Sequence, residues 1–585
     1  RASRRHARPP LTASSTRTSL NLWKGTHMKS SLRAAALLLT LTGPVGAAEY
    51  YGTLEPFAKR AVYFLMTDRF VNGDESNDQR QQGGANRTFD RPVAGAPAGE
   101  SDNIGYLGGD FKGIENNADY IKALGFDAIW LTPIIDNPDE AFTGSQPVAW
   151  KGMFQDRGKT GYHGYWGSNF YKLDEHLPSA DLDFGMLNHE LSERGIATVL
   201  DIVANHGSPA FSAPARQPKF GQIFDKDGTL IADHQNLEPE KLDPANNPLH
   251  RFFNTRRELV ELSDLNENNP AVMDYLTGAY LQWIEQGASA FRVDTIKHMP
   301  LTFWAEFSRR IRARHPGFFM FAEAYDYDAA KIAPFSWTEN GGITVLDFPL
   351  KDRLDKVFSR TDAGYEVIAD ALHLDSGLYQ NPYELMSFYD NHDMPRMNAD
   401  DHGFIDAHNW LFTARGIPVI YYGSETGFMR GKAEHEGNRN YYGQARIDAG
   451  LNHPIYRALQ RIANIRRGSV ALQQGLQLNL LLKGDRAAFL RVFQHGDVAQ
   501  TALVLLNKGD TPARFDIKDM LQGGEWRSAI SGDTVRLDAA KPRLKTQVPA
   551  HGVEVLLFDG AITAPDLITA LDRLQAGKAR RTTGG

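Results

Sequence analysis

Along this chain, short apolar runs rich in β-branched and aromatic residues alternate with longer segments in which apolar residues recur every third or fourth position. The first pattern is that of buried strands and the second that of helices with one apolar face, so the alternation predicts βα units and a parallel sheet. Eight runs read as strands: Ala61 to Met66, Ala128 to Leu131, Ala197 to Val203, Ala288 to Val293, Phe318 to Ala322, Ile343 to Phe348, Leu385 to Tyr389 and Ile417 to Tyr422. Eight parallel strands are what a barrel needs to close. Between them, Ile114, Ala118, Ile121 and Leu124 predict a helix stopped by Gly125, and Phe303, Phe307 and Ile311 one that ends before Pro316-Gly317.

One crossover is far longer than a helix requires. Residues 204–270 are rich in Asn, Pro and charge, which predicts a domain inserted after the third strand on the catalytic side. The expected architecture is a (β/α)8 TIM barrel, residues 49–203 and 271–467, interrupted by that insertion. After Arg467 short strands such as Ala488 to Phe493, Thr501 to Asn507 and Val553 to Phe558 predict a C-terminal antiparallel β-sandwich domain over 468–560. Residues 561–585 read as a tail with a short polar helix and no assigned role.

Composition changes the picture at the N-terminus. Residues 1–27 contain no acidic residue and read as an unstructured leader. Residues 28–48 have the layout of a secretory signal peptide: basic Lys29 and Arg33, an apolar run from Ala34 to Leu41, and the small residues Val45-Gly46-Ala47-Ala48. The apolar run is too short to span a bilayer, so a secreted or periplasmic protein, free of the membrane once processed, is expected. Removing 1–48 leaves 56 Lys+Arg against 71 Asp+Glu, a net charge of -15. Such a surface repels phosphate backbones, which argues against a nucleic-acid partner. With 42% hydrophobic residues and no cysteine, stiffness must come from packing or bound metal rather than disulfides. A monomer is expected.

The chemistry sits at the strand ends. In "DIVANH" (Asp201 to His206), "FRVDTIKH" (Phe291 to His298), "FAEAYD" (Phe321 to Asp326) and "FYDNHD" (Phe388 to Asp393), an apolar strand breaks into carboxylate, imidazole or guanidinium at its last turn. One such ending commonly just meets water. Four on strands that converge on one barrel mouth form a candidate active site. Asp294, Glu323 and Asp393 are the carboxylates of interest, because glycoside cleavage needs one charged carboxylate and one protonated acid. Arg292 lies two residues before Asp294 on the same strand face, where its charge favours an ionised nucleophile. Crowding of Glu323 by Asp393 would raise its pKa, as an acid requires.

These segments, in this order and spacing, resemble the α-amylase family, glycoside hydrolase family 13, including its secreted bacterial amylases and cyclodextrin glucanotransferases, over roughly Tyr50 to Gly560. The resemblance implies Asp294 as nucleophile, Glu323 as general acid/base and Asp393 as transition-state stabiliser. It implies His206, Arg292, Lys297 and His392 as substrate contacts, joined by His163, Tyr165 and Trp166 of "GYHGYWGSNF", with Tyr165 stacking on a sugar ring. The substrate implied is an α-glucan polysaccharide or oligosaccharide. Two other classes stay open: a metal-dependent barrel hydrolase using Asp201, His206 and Asp294, and a non-catalytic carbohydrate-binding relative. The first lacks paired histidines on strand one, and the second would lack one of the three carboxylates.

Calcium is the expected metal, in a structural role. "FVNGDESND" places Asn72, Asp74, Asn77 and Asp78 in one tight loop whose side-chain oxygens suit an ion that takes roughly six to eight oxygens. The family resemblance adds Gly108 and Asp110 of "LGGDFKG" to that site. It also implies a second site built from Asn205, Asp264 and the backbone carbonyl of His298, with one further ligand from the insertion left unplaced. Val260 stands where the glucanotransferases carry a bulky aromatic, and the chain ends soon after its first β domain. Both departures point to endo-hydrolysis of α-1,4 bonds, while Tyr325 keeps an aromatic for a sugar acceptor. Glucanotransferase or cyclodextrin-hydrolysing chemistry by the same covalent mechanism is the alternative.

Overall fold

The computed structural model describes residues 48–82, 95–97, 104–142, 158–359 and 362–579; the expected leader and nearly all of the expected signal peptide lie outside them. Eight parallel strands form the central sheet: β1 Val62–Leu65, β2 Ala128–Leu131, β3 Ala197–Ile202, β4 Ala290–Val293, β5 Phe319–Ala322, β6 Thr344–Val345, β7 Met386–Ser387 and β8 Ile417–Tyr421. Their order is β6-β5-β4-β3-β2-β1-β8-β7, and a single parallel bridge from Leu346 to Met386 brings the two edges together into a nearly closed barrel. All eight are buried along their length, as strands enclosed by helices must be.

Strands six and seven are shorter than their apolar runs. The run from Ile343 to Phe348 ends early because the Asp347 side chain accepts from the Leu350 N–H and caps a helix over Phe348–Phe358, with Pro349 preset for its first turn. The run from Leu385 to Tyr389 is preceded by a turn over Pro382–Glu384 that Leu385 closes, and the chain leaves the sheet after Ser387. The helix expected through Ile114 and Leu124 is two pieces, Phe111–Asn116 and Ala118–Leu124. Asn117 interrupts it by donating its side chain to the Gly113 carbonyl at 2.9 Å. The stop at Gly125 is as expected, in left-handed conformation (φ 114°).

The long crossover after β3 folds as small antiparallel ribbons. His206–Pro209 pairs with Leu262–Asp264, with His206 opposite Asp264, and Gln222–Phe224 pairs with Leu230–Asp233. The first ribbon fastens the insertion to the mouth of the barrel, since His206 lies just beyond the end of β3 at Ile202.

The C-terminal strands are β9 Leu476–Lys483, β10 Arg486–His495, β11 Val498–Asn507, β12 Ala513–Ile517, β13 Gly524–Ser528, β14 Thr534–Leu537, β15 Leu544–Val548 and β16 Gly552–Asp559. Six form an antiparallel sheet in the order β9-β10-β11-β16-β13-β14, and β12 pairs with β15 as a separate ribbon. Their inward residues, among them Leu490, Leu503, Leu505, Trp526 and Val548, make a second core. The tail helix spans Pro565–Ala579 and is not wholly polar: Leu567 and Leu571 are fully buried in that second core. It also anchors the first described residues, because the Tyr50 hydroxyl donates to Asp572 at 2.9 Å and Lys578 Nζ lies 4.3 Å from the centre of the Tyr51 ring. Sequence reading missed this role because its apolar face is only a few residues wide.

Candidate active site

Parallel pairing places Arg292 of β4 beside Asp201 of β3 and Phe321 of β5. Side chains in register on neighbouring strands share a face, so Arg292 and Asp201 meet inside the barrel mouth. Arg292 is completely buried, and its Nη1 donates to Asp201 at 2.9 Å and to Asp294 at 2.7 Å while its Nη2 donates to Glu323 at 2.7 Å. One guanidinium therefore holds three carboxylates. Burial disfavours its charge, but Asp201, Tyr165, Glu323 and Asp294 keep its pKa well above the ordinary arginine value.

The carboxylates divide in character. Glu323 is pushed up to about 8, first by burial, opposed by Arg292, and then by the charges of Asp294 and Asp393. The expected crowding by Asp393 is thus present, but as a lesser cause than burial. Asp294 Oδ1 takes Arg292 and its Oδ2 accepts from the Thr295 hydroxyl at 3.0 Å; Thr295 itself lies in left-handed conformation (φ 45°), bending the chain off the strand. Asp393 has burial raising its pKa against the nearby Arg439 and Arg292. Its side chain is 30% exposed, the most open of the three, and it accepts from Arg439 Nη2 at 2.8 Å and lies 3.2 Å from His392 Nε2.

An aromatic wall adjoins them. Tyr165 stacks on His392 with ring centres 5.4 Å apart and planes 13° apart. Its hydroxyl donates to Asp201 Oδ2 at 2.7 Å, and the same oxygen accepts from Trp130 Nε1 at 2.9 Å. His163 accepts the Tyr165 N–H at 3.1 Å. Burial drives the pKa of His163, His206 and His392 downward, so all three are neutral and can hydrogen-bond a hydroxyl. The Nδ1 atoms of His206 and His392 are buried with no protein partner.

Two expected contacts sit differently from these. Trp166 is buried behind His163, edge-on to it at 4.9 Å, in a small cluster with Phe142 and Phe220. Lys297 stands at the rim, donating to the Tyr325 carbonyl and to Asp326, both at 3.0 Å.

The sequence reading gave Asp201 a role only as a strand-end carboxylate and a ligand in the metal-hydrolase alternative, and it did not name Trp130 or Arg439. Asp201 is signalled by its place at the end of β3, in register with Arg292. Arg439 has no such signal, because it reaches Asp393 from a loop after β8. There it donates to the His392 carbonyl at 3.0 Å and pairs with Glu434 at 3.0 Å, while Asn438 donates to the Asn391 carbonyl at 2.8 Å. Together they pin the loop that carries Asp393.

The two loops expected to hold a metal carry oxygen donors of the kind a hard cation takes. In the first, Asn72 Oδ1 and Asn77 Oδ1 are buried without a protein partner, and Asn72 Nδ2 donates to Asp78 at 2.7 Å. A Cβ on Gly108 would lie 2.4 Å from that amide and from Asp78, so the position needs glycine to let the backbone approach. Asp110 accepts from the backbone N–H of Gly73, Asp74 and Gly113 and so sets the loop. Asp74 uses its carboxylate on Ser76, capping a short turn. Around the second, Asn205 has both side-chain atoms buried and unpartnered, and so is Asp264 Oδ1. The Asp264 carboxyl is pushed up to about 8, by burial and then by the neighbouring charge of Glu258. The His298 ring lies 3.1 Å from Glu258. Another acidic group, Asp139, Glu175 and His176, is already neutralised by Lys172 and Lys219.

The family model for the alpha amylase catalytic domain matches residues 64–450. A cyclomaltodextrin glucanotransferase of Klebsiella oxytoca is 28% identical over 543 residues, covering 84% of this chain and 76% of that protein. The solved α-amylase of Anoxybacillus superposes with a TM-score of 0.66 at 26% identity, covering 87% of this chain and 99% of that one. A cyclomaltodextrin glucanotransferase with a three-domain ABC distribution gives a TM-score of 0.67 at 27% identity, over 86% and 99% of the two chains. With the match spanning every barrel strand end described above, the chain belongs to the α-amylase family and is an enzyme of that family of glycoside hydrolases and transferases.

Proposed function

We propose that this enzyme hydrolyses internal α-1,4 bonds of starch and related α-glucans with retention, through a covalent glycosyl-enzyme. The observation that carries this reading is the Arg292 fork, which holds Asp294 and Glu323 on neighbouring nitrogens at 2.7 Å each, with Glu323 raised to about 8. A retaining pair needs that: two close carboxyl groups, one charged and one protonated near neutrality. Asp294 attacks the anomeric carbon as Glu323 gives its proton to the departing glycosidic oxygen. Glu323, now a carboxylate, then takes a proton from water, whose oxygen displaces Asp294 and restores both groups. Asp393 and His392 hydrogen-bond sugar hydroxyls, Tyr165 packs on the ring next to the broken bond, and His163 and His206 present neutral imidazoles to further hydroxyls.

Calcium would be structural. Asn72, Asp74, Asn77, Asp78, the Gly108 carbonyl and Asp110 would hold one ion, and Asn205, Asp264 and the His298 carbonyl a second. Bound there, the ion would supply charge neutralisation for the buried oxygens. The N-terminal segment read as a signal peptide supports export.

Transfer to a sugar acceptor is the second reading. Tyr325 and Tyr327 favour it, because both are nearly half exposed beside the acid/base and rest on Phe348, ready to receive a sugar face. Incubation with soluble starch, separating linear from cyclic products and determining their anomeric configuration, tests both. Linear α-anomers support the first reading, cyclic products the second, and β-anomers overturn the shared mechanism.

A further inference from the structure

We propose that His551 is a proton-operated clasp that ties the C-terminal domain to the barrel helix following Asp393 and lets go as the solution turns alkaline. That helix spans Asp401–Leu411 and opens on Asp400, which accepts the Gly403 N–H at 2.9 Å. Its Asp406, 3% exposed, is turned toward the C-terminal domain. Two turns of that domain meet it: residues 508–512, after β11, and residues 549–551, between β15 and β16. Asn507 stitches the turns together, its Nδ2 donating to the Thr511 and Pro549 carbonyls at 2.8 Å each, and the His551 N–H adds a bond to the Gly509 carbonyl at 3.3 Å.

His551 reaches both sides. Its Nδ1 lies 2.7 Å from Asp406 Oδ2 and its Nε2 3.0 Å from Asp510 Oδ1. Ionised carboxylates only accept, so a ring that holds both must carry two protons, whereas a neutral imidazole serves one. The two bonds differ in weight. The Asp510 side chain is 96% exposed, where water screens the pair, but that of Asp406 is 5% exposed, so Asp406 carries the clasp. Its other oxygen, Oδ1, is buried with no protein partner.

The surrounding charges do not replace that bond. Lys508 faces Asp406 but pairs with Asp485 at 3.0 Å, and Asp400 adds a like charge from the start of the helix. Buried Tyr365 faces both Asp406 and Asp485. His402 stacks flat on the His551 ring, with centres 4.0 Å and planes 13° apart, so a charge gained there would repel the clasp rather than substitute for it. Burial lifts Asp406 to about 7 against the His551 hydrogen bond. Burial pulls His551 the other way, yet Asp406 and Asp510 together raise it. Both shifts leave the folded chain holding a proton that an unfolded histidine gives up at about pH 6.5. The clasp therefore stabilises fully below about pH 6.5 and is lost as pH climbs through the folded value, from about 7 upward. Arg430 still bonds Asp401 at 2.8 Å and the Ala399 carbonyl at 3.0 Å, so release slackens the domain contact without freeing the start of the helix.

Thermal melting of the full chain between about pH 6 and 9 tests this. His551→Gln should melt about 2 °C or more below the wild type at the acid end and level with it at the alkaline end. Asp406→Asn should flatten the same dependence, and Asp510→Asn should leave it nearly intact. A His551→Gln deficit that stays constant across the range overturns the proposal, because no proton then works the contact. An Asp406→Asn variant that keeps the wild-type dependence overturns it too, since the proton would then serve Asp510 alone. Were neither variant to fold, histidine-labelled NMR of the wild type decides: a His551 ring that keeps its second proton at about pH 7 and above supports the clasp, and one that loses it at about 6.5 or lower overturns it.

Discussion

Arg292 reaches past Asp294, its partner on the same strand, to hold Oε2 of Glu323 at 2.7 Å from the next. The arginine is thus shared between the two carboxylates whose protonation must differ. Replacing either carboxylate by its amide keeps volume and relieves like-charge crowding. Asp294→Asn and Glu323→Gln should each lower starch cleavage by about 10⁴-fold or more with no loss of melting temperature. Paired kinetic and calorimetric measurements check this, and near-normal activity in either variant would refute the assignment.

Arg292→Met should do what those variants do not. It leaves Asp201, Asp294 and Glu323 buried without their cation, at a cost of about 3–5 kcal/mol. Denaturant unfolding should show that loss together with inactivity.

The pH profile follows from Glu323. The acid step needs its proton, and a group raised to about 8 keeps it through neutrality and loses it above. kcat/KM should therefore fall about tenfold per pH unit beyond pH 8 or so. Residual activity of Asp393→Asn should fall off at lower pH than the wild type, because the charge of Asp393 helps raise Glu323.

Tyr165 combines a hydrogen bond to Asp201 with a stacked ring beside His392. Tyr165→Phe keeps the ring and should cost only about fivefold in kcat/KM, the worth of one hydrogen bond. Tyr165→Ala removes the platform and should raise KM about tenfold or more. Equal effects of the two would remove the stacking role.

The tail helix should matter for stability rather than chemistry. Leu571→Ala empties a fully buried position and should destabilise by about 2–5 kcal/mol, leaving kcat unchanged. Thermal melting and starch kinetics on the same sample separate the two.

Much of this protein is determined locally and is therefore readable in the chain. Strand runs, the stop at Gly125 and the polar endings of β3, β4 and β5 depend on residues close in sequence, so period and spacing reveal them. The pairing of Arg292 with Asp294 needs only the alternation of a strand. What the chain alone did not disclose required distant residues to meet. Asp201 enters the site through barrel register, Arg439 arrives from a loop after β8, and Glu258 meets Asp264 and His298 only when the insertion folds onto the barrel mouth. The raised Glu323 is likewise a tertiary property, since burial, the largest cause of its shift, does not exist until the barrel closes around it.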